Sequence, residues 1–192
     1  MQNNGKTNRT KANKVVIIGD SNVGKTCLIT RYVDEKFGDS QPTIGALHRM
    51  KNVNGIDLDL WDTAGQERFK SMIPMYYKGA KAIIIAFDLT DMKSFQNAEK
   101  WLNEIESNTQ GCLIVLAGNK VDLAESRVVS TEQIKIFCDN KKINFFECSA
   151  KNDININELF GYIADKVKEQ APGEKGITIE DGLLTQRRIC CL

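Results

Sequence analysis

Residues 19–26 read Gly-Asp-Ser-Asn-Val-Gly-Lys-Thr, directly after the apolar residues 15–18 and directly before a helical pattern that opens at Cys27. A glycine-rich loop between a strand and a helix lets backbone N–H groups surround an anion, and the helix N-terminus favours negative charge there. We expect Lys25 to place a positive charge on the outer phosphates and the Thr26 hydroxyl to ligate Mg²⁺. The strand before and the helix after make the alternative, a glycine-rich turn without a ligand, the weaker interpretation.

Length and composition limit the class of protein. The chain has 192 residues and a net charge of +1, which suits one α/β domain with a buried core and predicts no nucleic-acid partner. The longest apolar run, residues 82–87, is much shorter than a membrane span. Six cysteines without a Cys-x-x-Cys motif, together with a single histidine, indicate neither a zinc site nor a disulfide framework. We therefore expect a cytoplasmic protein.

Strand patterns recur along the chain. Runs of consecutive apolar residues are typical of central strands covered on both faces, whereas alternation is typical of half-exposed strands. The dipeptide Asn54-Gly55 predicts a tight turn between two neighbouring strands. The predicted strands lie near residues 14–19, 46–52, 56–60, 82–87, 113–117 and 145–148.

Helical spacing of apolar residues separates several of these strands. It predicts a helix from the glycine-rich loop to about Asp34, and further helices over residues 95–105 and 156–167. Strands that alternate with helices favour an α/β fold: a P-loop, doubly wound, mostly parallel six-stranded sheet with helices on both faces. The predicted bounds are residues 13–170 for this domain, 1–12 for a disordered extension and 171–192 for a flexible tail.

Polar stretches follow the predicted strands at residues 19–26, 62–66, 119–122 and 149–151. Ligands of a doubly wound sheet bind outside the carboxyl ends of its strands, so these stretches are expected to converge on one edge. Each stretch suits one part of a guanine nucleotide.

The chemistry of these stretches distinguishes guanine from adenine. Asp62 offers a carboxylate to Mg²⁺ through water, and Gly65 lets the backbone approach the γ-phosphate. Asp122 can accept hydrogen bonds from the ring N–H and the exocyclic amine of guanine, whereas adenine lacks this pair of donors. Residues 149–151 can add a backbone N–H to the base carbonyl, and Phe37 can pack near the base plane. An adenylate-using P-loop enzyme is the disfavoured alternative.

Taken together, these motifs identify the chain as a member of the small GTPases of the Ras superfamily over nearly the whole of residues 13–170. Residues 60–69 (Leu-Trp-Asp-Thr-Ala-Gly-Gln-Glu-Arg-Phe), residues 76–80 (Tyr-Tyr-Lys-Gly-Ala) and the terminal Cys190-Cys191 resemble the Rab branch. The resemblance implies a GTP/GDP switch of vesicle traffic that binds GTP with Mg²⁺ and hydrolyses it slowly to GDP and phosphate.

The resemblance also implies a role for each site residue. Gln66 would orient the attacking water, and Lys25 would assist catalysis. Thr26 and Thr43 would ligate Mg²⁺ directly, and Asp62 would hold the ion through water. No residue is an obvious built-in arginine finger, so a GTPase-activating protein and an exchange factor are expected partners. The implied nucleotide contacts are Ser21, Asn22, Val23, Gly24, Lys25, Thr26, Cys27, Phe37, Thr43, Gly65, Asn119, Lys120, Asp122, Ser149, Ala150 and Lys151.

The chain departs from the Rab pattern at Asn22, at residues 46–48 and in the following hairpin, which is several residues shorter. Asn22 stands where relatives more often carry Gly or Ala; asparagine tolerates left-handed backbone, so we expect the loop to form. Ala46-Leu47-His48 replaces the usual Val-Asp-Phe, which puts His48 in the cluster with Trp61 and Tyr76 that is expected to read effectors. The alternatives are a solvated edge-strand role for His48 and core packing for the other two. These departures motivate the other functions considered, a scaffold that cycles poorly or a switch outside membrane traffic.

The terminal cysteines resemble Rab tails that carry two geranylgeranyl chains. The strict C-a-a-X rule fails because Ile189 occupies the fourth position from the end. Two lipid chains at Cys190 and Cys191 would suffice for stable anchoring, whereas the alternative is two unmodified thiols. The resemblance implies a monomer that cycles onto the cytosolic face of intracellular membranes, with a GDP-dissociation inhibitor and effector proteins as further partners.

Overall fold

The computed structural model describes residues 12–38, 41–65, 73–109 and 111–170. The expected N-terminal extension lies almost entirely outside these ranges, as does the expected tail. Gln66, Cys190 and Cys191 also lie outside the described residues. Among the described helices, none has the length and apolar content needed to cross a bilayer.

Strands and helices alternate along the chain, as predicted. In the sheet the strand order is β2-β3-β1-β4-β5-β6; β2 and β3 pair antiparallel and every other neighbouring pair is parallel. This arrangement confirms the predicted mostly parallel six-stranded sheet. The elements are β1 (Asn13–Ile18), α1 (Lys25–Asp34), β2 (Ala46–Val53), β3 (Ile56–Thr63), α2 (Ile73–Tyr77), β4 (Ala82–Asp88), α3 (Met92–Asn108), β5 (Leu113–Asn119), α4 (Thr131–Lys141), β6 (Asn144–Glu147) and α5 (Ile156–Glu169).

The hydrophobic core lies in two layers, one on each face of the sheet. Neighbouring side chains of a strand point to opposite faces. Ile17 of β1 accordingly packs in one cluster with Leu28 of α1 and Phe160 of α5, whereas Ile18 packs in the other with Phe95 of α3. Every residue of β4 is buried, which explains why its apolar run is continuous.

Two helices, α2 and α4, were not predicted from the spacing of apolar residues. Helix α2 has five residues, too few to show a period. In α4 only Ile134 and Cys138 are buried, so its apolar stripe is sparse. The start of α4 is fixed instead by a capping box, in which the Ser130 Oγ accepts from the Gln133 N–H and the Gln133 Oε1 accepts from the Ser130 N–H.

Candidate functional site

A cleft of about 670 Å³ opens at the carboxyl ends of the parallel strands. Binding sites for small molecules generally occupy about 300–1,000 Å³. All four polar stretches contribute to its walls; Val23 and Ser149, which were also predicted, are buried and do not line it. The sequence-predicted residues that line it are Ser21, Asn22, Gly24, Lys25, Thr26, Cys27, Phe37, Thr43, Gly65, Asn119, Lys120, Asp122, Ala150 and Lys151.

The glycine-rich loop curls around the start of α1. Gly24 has φ 90°, and a Cβ there would lie 2.2 Å from the Asn119 Nδ2, so only glycine fits. Asn22 adopts left-handed backbone at φ 63°, one of the conformations that asparagine tolerates. The substitution of asparagine at this position is therefore compatible with the loop.

Lys25 lies at the floor of the cleft and is 6% exposed. Its Nζ donates to the Gly19 carbonyl at 3.0 Å and to the Asp20 carbonyl at 2.7 Å. Burial lowers the pKa of Lys25 to about 8, although Asp62 and Asp20 oppose the shift. A buried ammonium ion is costly without a full counter-charge, so an anion in the cleft would be strongly favoured.

Three side-chain oxygens cluster beside Lys25. The Asp62 Oδ2 accepts from the Thr26 Oγ1 at 2.7 Å and from the Thr43 Oγ1 at 3.2 Å, and the two hydroxyl oxygens are 3.0 Å apart. Asp62 is 4% exposed, and its Oδ1 has no hydrogen-bond partner among the described residues. Burial raises the pKa of Asp62, against the opposing effects of the Thr26 hydrogen bond and the Lys25 charge.

This oxygen cluster fits a hard divalent cation. Mg²⁺ prefers oxygen ligands and is usually held by one or two carboxylates together with substrate phosphates and water. In the ranges that the structure describes, no three His, Cys, Asp or Glu side chains group into a metal site. A Mg²⁺ ion held by these oxygens would draw its remaining ligands from phosphate and water.

Gly65 brings the chain that follows β3 against the glycine-rich loop. A Cβ at this position would lie 2.3 Å from the Lys25 Nζ and 2.5 Å from the Asp20 carbonyl oxygen. Only glycine permits the backbone to approach Lys25 and Asp20 this closely.

The opposite end of the cleft is held together by hydrogen bonds within the protein. The Asn119 Nδ2 donates to the Val23 carbonyl at 2.9 Å, and the Asn119 Oδ1 accepts from the Ala150 N–H at 3.2 Å. The Asp122 Oδ1 accepts from the Ser149 Oγ at 2.5 Å. These hydrogen bonds join the three loops that contribute the residues.

Two partners of these loops were not predicted from the sequence. Arg31 of α1 donates from its Nε to the Ala150 carbonyl at 2.8 Å and from its Nη2 to the Lys151 carbonyl at 3.1 Å. The Lys120 Nζ lies 2.6 Å from the Asp88 Oδ2. No local motif indicates either contact, since Arg31 and Asp88 are remote in sequence from the loops they hold.

Comparison with known proteins assigns the chain to a family. The model of the Ras family matches residues 14–169. The chain belongs to the Ras family.

The curated relatives of this Ras-family chain carry Rab and Ypt names. Ras-related protein RABD2c of Arabidopsis thaliana is 41% identical, covering 93% of this chain and 95% of the relative. GTP-binding protein YPTM2 of Zea mays is 39% identical with the same coverage. Ras-related protein RABD1 of Arabidopsis thaliana is 43% identical over 82% of this chain and 80% of the relative. The protein is a Rab-like small GTPase: it binds GTP and GDP, hydrolyses GTP and acts in membrane traffic.

The residues expected to read effectors in this GTPase lie side by side across β2, β3 and α2. The His48 and Trp61 rings stack with centroids 5.7 Å apart, and the Trp61 and Tyr76 centroids are 6.5 Å apart. Trp61 donates from its Nε1 to the Asp59 Oδ2 at 2.8 Å, and the His48 Nδ1 lies 3.3 Å from the Asp59 Oδ1. His48 is exposed on an edge strand, whereas Trp61 and Tyr76 are half-buried.

Proposed function

We propose that the cleft is the guanine-nucleotide site of this GTPase and that it holds the nucleotide with Mg²⁺. The observation that supports this most directly is the pairing of a buried ammonium, Lys25, with a buried carboxylate, Asp62, whose Oδ1 has no partner among the described residues. A Mg²⁺-bound polyphosphate supplies negative charge to the first and positive charge to the second.

The phosphate end would work by positioning and charge stabilisation. Lys25 would hold the outer phosphates, and the Thr26 and Thr43 hydroxyls, with Asp62, would hold the metal. Mg²⁺ in this position neutralises charge on the outer phosphates. Gln66, outside the described residues, orients the attacking water, because phosphoryl transfer needs placement more than covalent chemistry from the protein.

The base end would select guanine. Asp122 accepts from the two guanine donors, while the Ser149 hydroxyl fixes the orientation of its carboxylate. Phe37 is 48% exposed at the wall of the cleft and covers the base. A site with polar groups matched to one base leaves them unpaired with the other, which is a strong source of selectivity.

Switching would arise at Thr43 and Gly65. Both line the cleft beside Lys25, and both are held by the nucleotide only while the γ-phosphate is present. The segments that follow them would then change conformation on hydrolysis and present different surfaces to effectors. The row formed by His48, Trp61 and Tyr76 is close in sequence to both segments and is the proposed effector surface.

The proposed domain organisation is a GTPase domain over residues 13–170, a short N-terminal extension and a lipid-bearing tail. Geranylgeranyl groups on Cys190 and Cys191 would anchor the cytoplasmic, monomeric protein to the cytosolic face of intracellular membranes. An exchange factor, a GTPase-activating protein and a GDP-dissociation inhibitor would control its cycle.

Mass spectrometry of protein from a eukaryotic host should find two isoprenoids, and both should be lost in the variant that carries Cys190→Ser and Cys191→Ser. An unmodified tail would contradict the anchor.

The metal assignment is tested through Thr26. We expect chelation of Mg²⁺ to accelerate GDP release strongly in the wild type and only weakly in Thr26→Ala, because that variant has already lost a ligand. Thr30→Ala, one turn further along α1, is the matched control and should behave like the wild type. Equal acceleration in wild type and Thr26→Ala would contradict the assignment.

A further inference from the structure

The Asp20 side chain is hydrogen-bonded to a residue of α3. Its Oδ2 accepts from the Asn97 Nδ2 at 2.5 Å, across 77 positions of sequence. The Asn97 Oδ1 in turn accepts from the Lys100 Nζ at 3.0 Å. The Asn97 amide therefore lies between an anion and a cation, with its donor toward the first and its acceptor toward the second, an arrangement that fixes its orientation.

The backbone of the same aspartate faces the cleft. The Asp20 carbonyl accepts from the Lys25 Nζ at 2.7 Å, and a Cβ on Gly65 would lie 2.5 Å from the Asp20 oxygen. Asp20 therefore contacts both groups to which we assign the γ-phosphate. Its carboxylate opposes the lowering of the Lys25 pKa, and among the described residues its one hydrogen bond is to the Asn97 amide.

We propose that Asn97 is a positioning residue for GTP hydrolysis, which fixes the Asp20 carbonyl and thereby the relative placement of Lys25 and Gly65. Asn97 does not contact the nucleotide; it acts through Asp20. The inference rests on the proposed roles of Lys25 and Gly65 at the γ-phosphate. It makes α3, a helix outside the nucleotide loops, a support of the phosphate end.

The effect of losing this support should depend on the γ-phosphate. Small misplacements of groups that position a reacting phosphate can slow a reaction by up to about 10²-fold. For Asn97→Ala we expect single-turnover GTP hydrolysis to slow by about tenfold and GTP release to accelerate by a similar factor. GDP release should change by less than about threefold, because GDP has no γ-phosphate and the base-end contacts remain.

Gln96→Ala is the matched control. Gln96 is the neighbouring residue of α3, carries the same type of side chain and is exposed. It should match the wild type in hydrolysis, in release of both nucleotides and in the melting temperature of the GDP-bound protein. If Asn97→Ala accelerates GTP and GDP release equally, or changes neither, the inference is wrong.

A reciprocal exchange separates positioning from a general loss of packing. Asn97→Asp alone places a second carboxylate beside that of Asp20. Because the two carboxylates repel each other, this variant should slow hydrolysis more than Asn97→Ala does. Adding Asp20→Asn restores an amide–carboxylate pair, and Lys100 then faces a carboxylate, so hydrolysis should return to within about threefold of the wild type. A double variant as slow as Asn97→Asp would overturn the inference.

The Lys25→Met variant distinguishes failure of this inference from failure of the proposed site. Normal GTP binding and hydrolysis in Lys25→Met would remove the proposed role of Lys25 itself. Loss of GTP binding in Lys25→Met together with wild-type behaviour of Asn97→Ala would leave the site in place and overturn only the role of Asn97.

Discussion

The two ends of the cleft differ in how their polar groups are satisfied. At the base end, Asn119 is buried and bonded to two other loops, and the Asp122 carboxylate is bonded to the buried Ser149. At the phosphate end, burial lowers the pKa of Lys25 to about 8 and raises the pKa of Asp62. The Asp62 Oδ1 also has no hydrogen-bond partner in the described part of the chain.

This difference assigns recognition of the base to one end of the cleft and the conformational switch to the other end. Hydrogen bonds within the protein join the loops of the base end, so this end should select guanine with little rearrangement. At the phosphate end, a bound metal and polyphosphate would add counter-charges to Asp62 and Lys25, so its conformation should depend on which phosphates are present. Substitutions at the base end should therefore affect GTP and GDP alike, whereas substitutions at the phosphate end should discriminate between them.

The largest effect is expected at Asp122. Asp122→Asn replaces one acceptor oxygen by a donor, which then faces a guanine N–H. We expect the preference for GTP over ATP to fall by about 10⁴, the range over which unpaired buried polar groups reject a wrong ligand. Competition between labelled GTP and unlabelled ATP measures this. Asp139→Asn, at an exposed position of α4, is the control. An unchanged preference for GTP in Asp122→Asn would count against recognition of guanine by Asp122.

The next effect is expected at Lys25. Lys25→Met keeps the length of the side chain but removes its charge, and two charge-assisted hydrogen bonds to phosphate contribute about 1.5–3 kcal/mol each. We therefore expect GTP affinity to fall by about 10³-fold and GDP affinity by less. Titration of nucleotide-free protein tests this, with Lys135→Met on the exposed face of α4 as control. Equal losses of GTP and GDP affinity would contradict the expectation that the phosphate end discriminates between the two nucleotides.

A smaller effect is expected at Arg31, which braces the base end. Arg31→Met removes the donors to the Ala150 and Lys151 carbonyls, so the loop that carries them should move more freely. GTP and GDP release should both accelerate by about tenfold, because partial loss of such a contact costs about 1–2 kcal/mol. Lys141→Met, whose ammonium pairs with Glu106 of α3, is the control. If only GTP release accelerates, Arg31 supports the phosphate end of the cleft and not the base end.

The sequence predicted the fold and the convergence of the loops because both follow from local patterns. Continuous apolar runs marked β4 and β5, and each polar stretch directly followed a strand. The helix α4 was missed since it buries only two side chains, although the Ser130-x-x-Gln133 capping box marks where it begins.

The supports of the site were missed for a different reason. Arg31 and Asn97 act on loops 119 and 77 positions away, and each belongs to a helix whose apolar spacing says nothing about its polar face. A polar contact between remote elements has no periodicity or motif in one sequence. Only the packing of α1 and α3 against the sheet brings these side chains to the loops they hold.

The smallest effect is expected at Glu147, which precedes the loop of the base end. Arg127 donates to both of its oxygens, at 2.9 and 2.5 Å, and these bonds lower the pKa of Glu147. Because the folded-state pKa lies below the unfolded value, its stabilisation is complete above about pH 4.5 and is lost as pH falls through the folded-state pKa. Screening by solvent limits it to about 1 kcal/mol.

Glu147→Gln should accordingly lower the free energy of unfolding of the GDP-bound protein at pH 7, and the deficit should vanish in acid. Urea unfolding of both proteins between about pH 3 and pH 7 measures this, with Glu125→Gln at an exposed turn as control. The ratio of GTP to GDP release should remain that of the wild type, because the ion pair supports the loop without contacting the phosphates. A deficit independent of pH would mean that packing around Glu147, and not its charge, stabilises the base end.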